Sequence, residues 1–137
     1  MRPSAVVAAL VFGLLPWQRD PEFLDFKILS EWEYTDGMKL PDSVTKLDRK
    51  KFTLSGFMRR EDSGFGEVEF FLLVYENCGC TGTPKINELV YCAMPEGVTT
   101  PVHPGPVKVS GTLYVAEQKD DGVVYGIYAM DVDKVTP

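Results

Sequence analysis

Histidine and cysteine are scarce in this chain: one histidine, His103, and three cysteines, Cys78, Cys80 and Cys92, among 137 residues. The sequence holds no serine–histidine–aspartate arrangement, no phosphate-cradling glycine loop ahead of a helix and no dense carboxylate cluster for calcium. Basic residues are in deficit as well. Fourteen Lys and Arg stand against 20 Asp and Glu, a net charge of -6. That balance argues against a nucleic-acid partner, because phosphate contacts need a basic surface. The nearest thing to one is Lys46, Arg49, Lys50 and Lys51, with Arg59 and Arg60 beyond. This run reads as the solvated face of a strand and its lead-in loop. After the N-terminal segment no run is long and apolar enough for a transmembrane helix, which takes about 20 residues. No helical periodicity and no internal repeat follow either.

What is present describes an ordinary globular chain: 45% hydrophobic and 25% charged residues, enough for one domain with one modest core. Arg2 followed by the apolar run Ala5 to Leu15 reads as a signal peptide or short hydrophobic anchor over residues 1–19. The expectation is an exported protein, periplasmic or associated with the cell envelope, with residues 5–15 as its one membrane tether. Pro16-Trp17-Gln18-Arg19-Asp20 lacks the small residues a signal peptidase prefers, and a first helix packed on the core is the competing reading.

Residues 20–48 form a lead-in without a clean period, in which Phe26 to Leu29 suits a short strand or one docked helical turn. Residues 49–137 carry five strand patterns. Lys50 to Arg59 alternates, with Gly56 interrupting it; Glu67 to Tyr75 holds the continuous apolar run Phe70 to Val74, which predicts cover on both faces. Ile86 to Met94, Val107 to Glu117 with Gly111 inside it, and Val123 to Val132 follow. Asp121-Gly122 signals a hairpin turn between the last two. A small sheet that closes must bend sharply, and mid-strand glycines allow that. The pattern therefore predicts an all-β domain: a five-stranded Greek-key barrel of the OB type. The usual helix between its third and fourth strands is reduced to the loop Pro95 to Pro106, and a short apolar N-terminal helix precedes the domain. An open β-sandwich is the alternative.

Leu54-Ser55-Gly56-Phe57-Met58, then Phe71 to Val74, the cysteine loop, Pro84-x-x-Asn87-Glu88-x-Val90 and Val107-x-Val109-x-Gly111-Thr112-Leu113 form an ordered set. It resembles the bacterial envelope family catalogued as domain of unknown function 3299, over roughly Phe52 to Tyr128. The resemblance implies a small, exported, β-rich protein. Many members carry a Cys-x-His or Cys-Cys pair where this chain has Cys78-Gly79-Cys80.

The three thiols divide by register. Cys92 should face about Phe70 across the hairpin, and its alternation with Val90 and Met94 makes it a small buried apolar side chain. Cys78 and Cys80 sit on a glycine-bearing loop. They suit a disulfide or structural thiols, a zinc or copper(I) site completed by Cys92, His103 or a second subunit, or a redox pair. No predicted helix N-terminus lowers their pKa, which weakens the redox reading. His103, alone in a proline loop, reads as exposed unless it is such a ligand. The paired carboxylates Glu67 and Glu69, and Asp131 and Asp133, read as solvent-facing, with no acid–base partner. Phe57, Tyr75, Tyr91, Tyr114, Tyr125 and Tyr128 either pack the sheet or line a face that stacks a ligand. The sequence thus leads to a non-catalytic, exported binding or accessory module whose partner is an envelope protein or a small ligand. A thiolate zinc or copper(I) binder is the second reading and a thiol-disulfide redox protein the third.

Overall fold

The strand that organises the sheet is β2 (Lys50–Arg59), where residues of alternating polarity bury Phe52, Leu54 and Met58 on one face. It belongs to a computed structural model that describes residues 21–75 and 84–137. The signal or anchor segment at residues 1–19, and with it the expected N-terminal helix, lies outside the described residues, as do Cys78 and Cys80.

Five further strands join β2 in one mixed sheet: β1 (Glu22–Phe23), β3 (Phe70–Val74), β4 (Leu89–Ala93), β5 (Pro106–Asp120) and β6 (Val123–Thr136). The pairs β2–β3, β3–β4, β5–β6 and β2–β5 are antiparallel, while β4 and β6 run parallel. Each of the five longer strands therefore pairs with two of the other four, and β1 adds a short parallel pairing to β2. The protein is thus mostly β-sheet, with six strands among the described residues where the sequence pattern predicts five. The extra strand is two residues long, too short to express a period of two.

Glycines admit the closest approaches. A Cβ at Gly56 would lie 2.7 Å from the Val74 carbonyl oxygen, and one at Gly111 would lie 2.1 Å from the Asp131 carbonyl oxygen. Gly111 also marks a register shift between β5 and β6. These are the two mid-strand glycines expected to let the sheet bend. Asp121 and Gly122 have φ of 55° and 78°, the paired left-handed geometry that a two-residue hairpin turn requires.

The lead-in is part of the core. Asp25 caps α1 (Phe26–Ser30) by accepting from the Lys27 backbone N–H, and α1 buries Phe26 and Leu29. The four-residue α2 (Asp42–Thr45) buries Val44. These side chains join Leu54, Phe71, Val90, Leu113, Ile127 and Met130 in a single apolar cluster. Polar contacts from three side chains, Tyr128, Asn87 and Tyr34, help tie the lead-in to the rest of the domain. The Tyr128 hydroxyl donates to the Leu29 carbonyl at 2.7 Å, the Asn87 amide donates to the Ser30 and Trp32 carbonyls, and the Tyr34 hydroxyl donates to Glu117 Oε2 at 2.6 Å.

Two expectations change. The run Phe70 to Val74 is not covered on both faces: Phe71 and Leu73 enter the core, Val74 is also buried, but Leu72 is half-buried and Phe70 is 59% exposed. The outer face of β3 is open at its start, where no element among the described residues packs on it. The third strand is shorter than its pattern, since Ile86–Glu88 form a 3-10 turn before β4 begins. No helix occurs between β4 and β5, where the chain runs as a loop bridged by Val68 and Thr100.

Candidate functional site

The open outer face of β3 and β4 holds a cleft of about 550 Å³. Register builds it. Arg59 on β2 pairs with Leu72 on β3, Leu72 pairs with Tyr91 on β4, and Tyr91 pairs with Ala129 on β6. Alternation then sends Arg59, Leu72 and Tyr91 to the same side, in one row across three strands. Ile86 and Leu89 continue the apolar floor, and Tyr125 closes one wall from the start of β6.

The two tyrosines are held together. Their rings meet edge to face with centroids 5.5 Å apart, and the Tyr91 hydroxyl donates to the Tyr125 carbonyl at 3.4 Å. Gly126 makes room for them: a Cβ there would come within 2.7 Å of the Tyr91 ring. Burial, and then the nearby charges of Glu61 and Tyr125, raise the Tyr91 phenol above its ordinary pKa. It enters the cleft as a neutral hydroxyl at physiological pH.

Charge in the cleft comes from arginine. Arg60 also lines it, but that guanidinium is engaged by Asp62 at 3.0 Å and by the Gly66 carbonyl at 2.6 Å. Arg59 is half-buried and forms neither an ion pair nor a side-chain hydrogen bond among the described residues. A partly enclosed guanidinium with no ion pair among the described residues, lining one cleft with two aromatic rings, suits an acidic group carried on a flat or apolar body.

A second groove of about 520 Å³ lies beside the loop between β2 and β3. Glu61, Asp62, Glu67 and Glu69 line it together with Phe70. Glu67 accepts from the Thr99 hydroxyl at 2.5 Å. The second expected carboxylate pair, Asp131 and Asp133, faces solvent, and Asp133 pairs with Lys51 at 2.6 Å.

The residues named as candidate metal ligands do not form a group among the described residues. Cys92 is 2% exposed in the core, across from Phe71 rather than Phe70, and its thiol donates to the Val90 carbonyl at 3.7 Å. Burial, with a smaller push from Glu61, drives its pKa far above the ordinary thiol range. His103 is half-buried in the loop before β5. No three His, Cys, Asp or Glu side chains among the described residues come close enough to share an ion. The aromatic residues split. Tyr128 is fully buried, Tyr75 stacks on Phe26 at 5.5 Å, and Tyr91 and Tyr125 line the cleft. Arg59 is the cleft residue that sequence pattern placed on a solvated face; the signal that finds it is its cross-strand alignment with Leu72 and Tyr91.

Known proteins resemble the chain along most of its length. The model of the family described as "Protein of unknown function (DUF3299)" matches residues 26–137. The crystal structure of a DUF3299 family protein from Pseudomonas aeruginosa PAO1 is 25% identical and superposes with a TM-score of 0.59, covering 87% of this chain and 97% of its own. A protein described as an aspartyl-tRNA synthetase from Leishmania major Friedlin is 13% identical, with a TM-score of 0.43 over 96% of this chain and 26% of its own, too weak a likeness to carry an argument. No curated protein matches the chain. With a family model spanning the lead-in from Phe26 and every strand from β2 to β6, the chain belongs to the DUF3299 family of proteins of unknown function.

Proposed function

We propose that this protein is an exported, non-catalytic binding module of the cell envelope, built on an OB-type barrel and taking a small ligand that joins an acidic group to a flat apolar body. The ring of pairings β2–β3–β4–β6–β5–β2, with β4 and β6 parallel, supports the barrel. In that architecture the outer face of the second and third barrel strands binds ligands. Here those strands are β3 and β4, which form the floor of the cleft. The observation that carries the reading is Arg59, a half-buried guanidinium with no ion pair among the described residues, lining one cleft with Tyr91 and Tyr125. A net charge of -6 disfavours a polyanion as ligand and leaves a single acidic group compatible with one arginine. Arg2 and the apolar run Ala5 to Leu15 support export.

Anilinonaphthalene sulfonate has the required chemistry, an anionic group on fused aromatic rings. The folded protein should bind one equivalent. Arg59→Ala should weaken binding by about tenfold, the scale of one lost charge-assisted hydrogen bond, and Tyr125→Ala should weaken it too, with melting curves unchanged. Equal binding by wild type and Arg59→Ala would remove the basis of the proposal. A fusion of alkaline phosphatase after residue 137 tests export separately, since that enzyme matures only where disulfides form.

A further inference from the structure

The loop joining β2 to β3 exposes an aromatic ring and fixes the backbone beneath it. Phe65 is 97% exposed, the most exposed large apolar side chain among the described residues. The loop that carries it is braced by one guanidinium. Arg60 donates to Asp62 Oδ1 at 3.0 Å, to the Gly66 carbonyl at 2.6 Å and to the Phe65 carbonyl at 3.4 Å. Asp62 Oδ1 also accepts from the Gly64 backbone N–H at 3.1 Å. The far end of the loop is pinned where Val68 and Thr100 exchange backbone hydrogen bonds at 2.9 and 3.0 Å. Phe65 makes no contribution to the core, so this bracing holds a ring in water. Such an arrangement lowers the ordering cost of burying that ring in something else.

The surroundings of the ring select the partner. Phe70, 59% exposed, borders the groove next to this loop, and Glu61, Glu67 and Glu69 surround it without a cationic partner among the described residues. Asp62 is the carboxylate whose charge Arg60 offsets. An anionic lipid surface meets like charge here, and so does a second copy of the same face.

We propose that this loop is a docking knob for another protein, one with an apolar pocket that receives Phe65 and a rim of Lys or Arg side chains that meet Glu61, Glu67 and Glu69. A protruding aromatic anchor with a charged rim is the usual arrangement of a binding hot spot. The surface adjoins the cleft at Arg59, since Arg60 lines that cleft and braces this loop, but it does not depend on a ligand there.

The test places a photoreactive benzoylphenylalanine at position 65 of the full chain, in the cells that make it, with the same residue at Tyr114 as the exposed control. A protein adduct should form from position 65 and not from position 114. The crosslinked protein is then purified and titrated. Phe65→Ala should weaken binding at least tenfold. The pair Glu61→Lys and Glu69→Lys should weaken it similarly and abolish its salt dependence, with both variants melting like wild type. An absence of adduct, or equal binding by Phe65→Ala, overturns the proposal. Vesicles of phosphatidylglycerol that bind the wild type but not Phe65→Ala would overturn it in favour of a membrane, and a Phe65-dependent dimer in sedimentation would overturn it in favour of self-association.

Discussion

Cys92 shows how one position settles the use of a reactive group. Its side chain replaces no polar contact with solvent, packs among Val90, Phe71 and Met130, and is held protonated by burial. A thiolate is the nucleophile and the metal ligand, so a buried thiol whose pKa is raised is inert at neutral pH. Native protein treated with a thiol reagent at pH 8 should therefore spare Cys92, and denaturant should expose one additional thiol that Cys92→Ala removes. Rapid labelling of Cys92 in the native state would contradict this. Cys92→Ser should lower stability by about 1–3 kcal/mol, because a hydroxyl replaces a soft apolar group among apolar neighbours.

Among the elements, β5 and β6 depend on an approach that only glycine permits. An added methyl at Gly111 meets the Asp131 carbonyl oxygen at 2.1 Å and the Val132 Cα at 2.9 Å, and neither backbone atom can swing aside. Gly111→Ala should cost about 3 kcal/mol, the upper range for overpacking. Gly105→Ala, where nothing lies within 4 Å of the added methyl, should melt like wild type. Chemical denaturation of the two variants checks the contrast. This scale is also where the sequence was most readable. Alternation placed β2 and located the two longest strands, and Asp121-Gly122 located their turn, because a period of two is visible over ten residues. The two-residue β1 and five-residue α1 have no such window. Cleft residues Arg59, Leu72 and Tyr91 come from three strands, and their alignment is a matter of cross-strand register, which single-strand patterns do not contain. Tyr91 and Tyr125, whose rings meet in the cleft, stand in the sequence only as two members of a longer set of aromatics. His103 and the cysteines drew attention by residue type, although chemical capability depends on burial and neighbours.

For the whole molecule, two phenol protons help hold the joint between lead-in and sheet. Tyr34 donates to Glu117 across that joint and Tyr128 donates to the Leu29 carbonyl. The hydrogen bond to Glu117, then burial and the charge of that carboxylate, raise the Tyr34 pKa from 10.0 to about 12. Burial raises that of Tyr128 further. A phenol with a raised pKa in the folded state stabilises the fold wherever it stays protonated. That contribution is complete below the unfolded value near 10 and is lost as pH climbs through the folded value. Stability should thus hold up to about pH 10 and fall between pH 10 and 12, first weakening the Tyr34 contact and then freeing α1 from Tyr128. Absorbance at 295 nm should show tyrosines ionising above the ordinary range, one of them near pH 12 and absent in Tyr34→Phe. Tyr128→Phe should cost about 2 kcal/mol at pH 7, because it leaves the Leu29 carbonyl buried without its donor. If alkali melts wild type and Tyr34→Phe with the same pH dependence, Tyr34 does not couple the two parts. The consequence reaches the proposed binding function. Asn87, which holds the Ser30 and Trp32 carbonyls, belongs to the same 3-10 turn as Ile86 in the cleft floor. Loosening the lead-in should therefore loosen the floor of the cleft at Ile86, and anilinonaphthalene sulfonate bound there at pH 7 should be released on the same alkaline limb.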